Sequence, residues 1–312
     1  MTNSKIDAVC EELRLRLKDA ADRNIAQGIL FSGGVDTSIL ALLSPEIVAL
    51  NVRLDEYGED TRYAEIVAQR LGLQLHIKQI NVEEAFEIMP RVIMVLRSFD
   101  PALPNDLALY FALKLAREKG LDSIITGDGS DELFAGYSYM SDLDLKKYLP
   151  SLARRMQFSS RRLGSHLGVT VKQPFLDNDF INYALSIEPA LKIRQHEGTR
   201  YGKWILRKAF ESFLPEEIVW QDKRPIETGS GFSHIREIIS SRISEQDLAE
   251  AESTYSVKFL SKDHLYYYQI YREVVGEIPP PQPGEVKCPG CGTGRRPGSY
   301  HCRTCGWSVR RQ

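Results

Sequence analysis

The run Gly28-Ile-Leu-Phe-Ser-Gly-Gly-Val-Asp-Thr-Ser38 constrains the rest of the chain most tightly. Ile29 to Phe31 reads as a short buried strand, and Ile39, Leu40, Leu42 and Leu43 as the apolar side of a helix that begins almost at once. Between them, Ser32-Gly33-Gly34 lets the backbone turn its N–H groups inward, and the positive end of the new helix points at the same spot. A turn of this kind binds a phosphate-like anion. Asp36 sets a carboxylate beside that anion in the first helical turn, where a Mg²⁺ would offset the repulsion. The Lys-Ser/Thr ending of the common nucleotide loop is missing. The alternative is an ordinary Gly-Gly strand-to-helix turn without a ligand.

Around this run, strand and helix patterns alternate. Ser4 to Asn24 is amphipathic, with Val9, Leu13, Leu17 and Ala20 at helical spacing. β-rich runs follow at Ile47–Val52, Gln74–Ile80 and Ser123–Thr126, separated by helical patterns near Asp60–Leu71, Val82–Leu96 and Asn105–Lys119. The expected fold is α/β: a parallel twisted sheet with helices on both faces, whose ligands sit at the carboxyl ends of the strands. From Tyr137 to Gly276 the pattern is mostly helical, and Glu277–Gly284 is a stiff Pro-rich linker.

The chain of 312 residues is 43% hydrophobic, enough for a substantial core, and its net charge of −2 excludes a uniformly basic nucleic-acid binder. No signal peptide or apolar stretch long enough to span a membrane is visible, so a cytoplasmic location is expected. Cys288-Pro-Gly-Cys291 and Cys302-Arg-Thr-Cys305 are two Cys-x-x-Cys pairs with ten residues between them. Two such knuckles close a tetrahedron of thiolates around Zn²⁺. Paired disulfides are the alternative, disfavoured in a cytosolic chain. The tail is basic: after Gly284 the only acid is Glu285, against Lys287, Arg295, Arg296, Arg303, Arg310 and Arg311. Nucleic acid or protein docking through this ribbon, or a purely structural cap, are all compatible with that charge.

A second block, Gly127-Asp-Gly-Ser-Asp-Glu-Leu-Phe-Ala-Gly-Tyr137, follows the last strand and shares the crevice of the first loop. Asp128, Asp131 and Glu132 crowd together and demand a cation or a basic substrate group. Asp131 facing Asp36 would give two oxygen ligands to Mg²⁺. An acidic helix N-terminus capped by Ser130 is the plainer reading.

Ser-Gly-Gly-Val-Asp-Thr-Ser resembles the pyrophosphate loop of ATP pyrophosphatases. The two blocks together resemble the synthetase domain of asparagine synthetase. Gln173-Pro-Phe-Leu-Asp177, Tyr183–Ser186, Lys203-Trp-Ile-Leu-Arg207, Leu214–Ile218 and Trp220–Lys223 extend the likeness to about Thr228. The resemblance implies an adenine nucleotide α-hydrolase-like fold. It implies that Ser32, Gly33, Gly34, Asp36, Thr37 and Ser38 hold the pyrophosphate of ATP. Asp36 and Asp131 would bind Mg²⁺, Asp60 falls at a third acidic position, Leu30 and Val52 would flank adenine, and Gly127 would lie near the nucleotide. Lys223 would neutralise charge on the α-phosphate and the leaving pyrophosphate, and Asp128 and Glu132 would meet the acceptor. The implied activity is an ATP-dependent amide-forming ligase: it adenylates a carboxylate, aspartate first, and passes it to ammonia.

The sequence also departs from that family. Thr2 follows Met1 where the family's glutaminase domain carries a nucleophilic cysteine, so the expected nitrogen source is free ammonia, a separate glutaminase or a different amine. Asp128 stands where these enzymes usually carry Glu, and Asp100–Asp106 lacks the expected Arg and hydroxyl residues, which opens the identity of the acceptor. The expected domains are 1–276, comprising a helix at 1–26, a nucleotide-binding core at 27–137 and a helical part at 138–276. The linker 277–284 and a four-cysteine zinc ribbon at 285–312 follow. Competing readings are an enzyme that adenylates a macromolecule, a tRNA base or a carrier protein, held by the ribbon, and a non-catalytic nucleotide-sensing interaction protein.

Overall fold

The computed structural model describes residues 3–309, so Arg310 and Arg311 of the basic tail lie outside the described residues. The chain opens with α1 (Asn3–Arg23) and then alternates β1 (Gly28–Leu30), α2 (Val35–Leu43), β2 (Val48–Leu54), α3 (Thr61–Leu71) and β3 (Leu75–Ile80). Two long helices, α4 (Val82–Leu96) and α5 (Leu103–Glu118), lead to β4 (Ser123–Ile125) and the short α6 (Ser130–Phe134). Helices α7 (Leu145–Ala153) and α8 (Ser159–Leu167) then precede β5 (Thr170–Lys172). The expected boundaries agree to within two residues, because capping residues mark them. Gly72 ends α3 at φ 68°, and Asn81 and Glu84 close a reciprocal capping box on α4.

All strand pairs in the main sheet are parallel, in the order β3-β2-β1-β4-β5. Alternate residues feed opposite faces. Leu30, Leu50 and Val52 join a core with α4 and α5, whereas Ile29, Phe31 and Ala49 join one with α1, α2 and α3. β5 corrects the sequence reading, which continues helix through this stretch. Three residues in a Gly-bounded segment carry no readable period, and β5 is set by pairing along β4. The order reverses at β1, which pairs with β2 on one side and β4 on the other, so the loops leaving β1 and β4 open a crevice between them.

Beyond β5 the chain is mostly helical, apart from two antiparallel hairpins, Arg194–His196 with Thr199–Tyr201 and, in the cysteine ribbon, Val286–Lys287 with Gly294–Arg295. No helix among the described residues is long and apolar enough to cross a membrane. The Pro-rich segment is largely exposed, but the cysteine ribbon behind it folds back onto the body. Phe99 N donates to Thr304 O at 2.7 Å, Lys258 N to Gly290 O at 2.8 Å, and His301 Nε2 lies 2.8 Å from Asp100 Oδ2. The four ribbon cysteines share one apolar cluster with Phe99 and Tyr271.

Candidate active site

The loop after β1 is held from three sides. Gly33 adopts φ +74°, and a Cβ there would stand 2.3 Å from Ala64 N, so the loop lies directly against the first turn of α3. Ser32 Oγ accepts from Gly34 N at 3.2 Å and Ser38 N donates to Gly34 O at 3.0 Å, which starts α2. Behind the loop, Asn51 Nδ2 donates to Phe31 O at 2.8 Å and Thr61 Oγ1 donates to Asn51 Oδ1 at 3.2 Å. Ser32, Gly34, Asp36 and Thr37 line an open cleft of about 1310 Å³, and Leu30, Val52 and Gly127 line the same cleft. Ser38 is buried, and its Oγ has no partner among the described residues.

The loop after β4 brings its own groups to this point. Gly129 at φ +97° turns the chain into α6. Ser130 Oγ donates to Asp36 Oδ1 at 2.6 Å. Between the carboxylates of Asp36 and Asp131 stands Lys203 Nζ, 2.5 Å from Asp36 Oδ2 and 2.8 Å from Asp131 Oδ1. Lys223 Nζ reaches Asp131 Oδ2 at 2.6 Å and lies 4.9 Å from the centre of the Tyr137 ring. Burial alone would push Asp131 up, but Lys203 and Lys223 outweigh it and hold the carboxyl down at about 2. Burial pulls Lys203 down, and Asp131 and Asp36 more than compensate, keeping it charged. Sequence reasoning includes Lys203 in a motif without giving it a role. A lone lysine before a helix has no period to mark it.

Asp60 lines the cleft beside the loop, where Arg224 Nη2 meets its Oδ1 at 3.0 Å. Asp128 is pinned: its Oδ2 accepts from Thr126 Oγ1 at 2.7 Å, Ser160 Oγ at 2.6 Å and Gln173 Nε2 at 2.9 Å. Glu132 takes the Tyr137 hydroxyl at 2.8 Å, and burial, then the charge of Asp131, pushes it up to about 7. Asp106, on α5, is enclosed by the cleft wall and pushed up to about 7 by that burial, against a hydrogen bond from Ser159. The structure brings Leu30, Ser32, Gly34, Asp36, Thr37, Val52, Gly127 and Asp131 to one crevice, whereas Gly33 packs against α3 and Ser38 is buried away from it.

The far wall belongs to the ribbon. Arg296, Tyr300 and Arg303 line the cleft that also holds Ser32 and Asp131. The Sγ atoms of Cys288, Cys291, Cys302 and Cys305 all lie within 4.8 Å of one another, close enough to share one metal ion. Both knuckles repeat the same bonds: Gly292 N donates to Cys288 O at 2.9 Å, and Gly306 N to Cys302 O at 2.8 Å.

A family profile described as asparagine synthase matches residues 12–166 and 138–265. Asparagine synthetase B [glutamine-hydrolyzing] of Escherichia coli (strain K12) is 28% identical over 310 residues, which cover 89% of this chain and 55% of that protein. A probable asparagine synthetase [glutamine-hydrolyzing] of Dictyostelium discoideum is 28% identical over 268 residues, covering 74% of this chain and 48% of that protein. The chain spans about half the length of the curated relatives it matches. The solved U34-tRNA thiolase NcsA from Methanococcus maripaludis aligns over 92% of this chain and 85% of that one, at 14% identity and a TM-score of 0.32. By its profile match over most of its length, with the Ser32–Gly34 loop and the acidic helix α6 at one crevice, the chain belongs to the asparagine synthase family.

Proposed function

We propose that the chain is an ATP-dependent, AMP-forming ligase that activates a carboxylate and joins it to an amine. One observation carries this reading: Asp36, Asp131, Lys203 and Lys223 converge in the cleft that the Ser32–Gly34 loop also lines. In it, the N–H groups of Ser32–Gly34 and the start of α2 bind the β- and γ-phosphates of ATP. Leu30 and Val52 contact the adenine, with Gly127 close to the nucleotide. The acceptor carboxylate attacks the α-phosphorus and the bond to the β-phosphate breaks. Lys223 and Lys203 stabilise the charge that grows on the α-phosphate and on the departing pyrophosphate. An amine then attacks the acyl-adenylate and AMP leaves. No covalent bond to the protein forms, so alignment and fixed charge supply the catalysis.

Asp36 and Asp131 fit a Mg²⁺ in their chemistry, since the first turns of α2 and α6 bring the two carboxylates to one point, where Lys203 Nζ now bridges them at 2.5 and 2.8 Å. Bound there with phosphate oxygens, the ion would offset the charge of the triphosphate. Cys288, Cys291, Cys302 and Cys305 fit a Zn²⁺, which would hold the ribbon in shape. The proposed division is a ligase domain over 1–276, a linker over 277–284 and a ribbon from 285.

Aspartate with ammonia, free or from a separate glutaminase, is the first acceptor pair in this reading, with Asp128 and Glu132 at the acceptor. A second reading, in which the acceptor group belongs to a macromolecule gripped by the ribbon, is favoured by the ribbon's place in the cleft wall. Pyrophosphate release from Mg-ATP, screened over amino acids with ammonia or glutamine and followed by mass spectrometry, tests the proposal. Asparagine and AMP from aspartate and ammonia establish the first pair. Release of no pyrophosphate with any acceptor overturns the ligase assignment in favour of nucleotide sensing.

A further inference from the structure

Charge is segregated in this chain. From Leu145 to Leu176 the sequence holds seven Lys and Arg and no Asp or Glu. From Val286 to Val309 it holds Lys287, Arg295, Arg296 and Arg303, again without an acid. Since the whole chain carries a charge of −2, the opposite sign is gathered elsewhere. The fold packs these two acid-free segments against each other at the cleft mouth. Arg155 Nη1 donates to Gly298 O, and Arg303 Nη2 donates to Arg155 O at 3.3 Å. Burial first, and then the charges of Arg296 and Arg162, pull the Arg303 guanidinium below its ordinary value.

Among the described residues, no carboxylate lies within 4.0 Å of Arg154, Arg155, Arg296 or Arg303. The bordering acids are engaged: Asp100 by His301, Glu285 by the Gln282 amide and Asp144 by Lys147. Three exposed guanidinium groups on the cleft lining, those of Arg155, Arg296 and Arg303, without counter-charges form an electrostatic footprint for a polyanion.

Aromatic rings connect that footprint to the phosphate site. Tyr137 and Tyr139 stack with centroids 5.6 Å apart and planes 5° from parallel. Tyr139 and Tyr148 meet through their hydroxyls at 3.4 Å, and Tyr148 lies 5.8 Å from Tyr300. Arg155 then sits 5.9 Å from the centre of the Tyr300 ring. All five line the cleft, and the series ends at Lys223. Tyrosine rings beside a cationic track are the means by which unpaired bases are held, because every base has a face to stack.

We propose that this face binds a single-stranded polynucleotide, with the arginines on its phosphates and an unpaired base stacked among Tyr139, Tyr148 and Tyr300. The inference rests on the second reading of the cleft for its consequence, which is that the bound base or its attachment lies within reach of the adenylating centre. Binding is read without turnover, so the two stand or fall separately.

The test is fluorescence anisotropy of a labelled single-stranded oligonucleotide, in an RNA and a DNA version, titrated with the full chain in the presence of α,β-methylene-ATP. Saturable binding is expected, with log K falling linearly in log salt by about 0.7 per phosphate contact. Preference for one version identifies the natural strand. Arg155→Gln combined with Arg296→Gln should flatten the slope by about 1.4. Tyr300→Ala should weaken binding about fivefold to hundredfold and leave the slope as it was. Arg70→Gln, on α3 outside this face, should change neither. Metal content and affinity for the ATP analogue should stay constant throughout. Absence of saturable binding overturns the proposal, as does an equal loss from Arg70→Gln. Polyglutamate binding as tightly as the oligonucleotide overturns it in favour of an acidic protein partner. None of these outcomes bears on whether aspartate and ammonia release pyrophosphate.

Discussion

Lys203 Nζ lies between Asp36 and Asp131 with only 3% of its side chain exposed, whereas Lys223 approaches Asp131 from a cleft wall that leaves it 30% exposed. The difference in burial separates what each lysine does. Lys203→Met leaves two carboxylates facing each other without their cation, a change of about 3–5 kcal/mol for a broken buried pair. Lys223→Met should cost under about 1 kcal/mol, as for pairs that water screens. Both variants should lose pyrophosphate release, and only the first should show a large fall in Tm. Equal falls would mean that Lys203 is not the internal counter-ion. Because Asp131 is held at about 2, below its unfolded value, its contribution to stability is complete above about pH 4 and lost as the pH drops toward 2. Asp106 runs the other way. Its folded value of about 7 lies above the unfolded one, so its contribution is present below about pH 4 and lost as the pH rises through 7. Asp106→Asn should therefore leave Tm unchanged at pH 4 and raise it at pH 8. Thermal denaturation at the two pH values checks this, and a lower Tm for the variant at pH 8 would contradict it. Asp128, Asp131 and Glu132 are legible in the sequence because they cluster, whereas Asp106 carries no such mark. Lys203, Ser160 and Gln173 are not legible either, because each reaches the site from a separate segment.

At the scale of elements, the strand-loop-helix unit was readable because two signals coincide: a buried strand and a glycine pair at the start of an apolar helix. The same logic failed for β5, whose three residues take their strand conformation from β4. It also failed for the tyrosine series, whose members at 137, 139, 148 and 300 share no spacing and meet only through α7 and the ribbon. The loop's shape depends on its neighbour as much as on its own glycines. With φ at +74° and the α3 backbone 2.3 Å from the position of a Cβ, Gly33→Ala must push the loop off α3 or out of its left-handed conformation. The N–H groups would then no longer converge. Calorimetric titration of Gly33→Ala with α,β-methylene-ATP should show at least a tenfold loss of affinity with the circular dichroism of the sheet and helices intact. Unaltered affinity would show that the loop does not hold the phosphates.

For the whole molecule, the linker suggested an appendage and the structure shows a docked wall. A Pro-rich segment reveals where one element ends, but it carries no information on whether the next folds back, since that depends on surface complementarity across two hundred residues of separation. Here the complementarity is substantial. The ribbon backbone bonds to Phe99 and Lys258, its His301 pairs with Asp100, and its cysteines close over Phe99 and Tyr271 in the body's apolar cluster. Metal held by those four thiolates should then stabilise the protein as one cooperative unit, because a ribbon that loses its ion also uncovers that cluster. Chelation with a strong zinc ligand should lower Tm by at least about 5 °C, given about 2 °C per kcal/mol for chains of this size, while scanning calorimetry still shows one transition. The Ser32–Gly34 loop is flanked by Phe31 and Val35 of the other apolar cluster, which holds none of the ribbon cysteines, so affinity for α,β-methylene-ATP measured below the new Tm should be retained. Two calorimetric transitions, with only the smaller sensitive to the chelator, would mean that the ribbon folds by itself and merely rests against the cleft. Its arginines and Tyr300 would then occupy the active-site wall only part of the time.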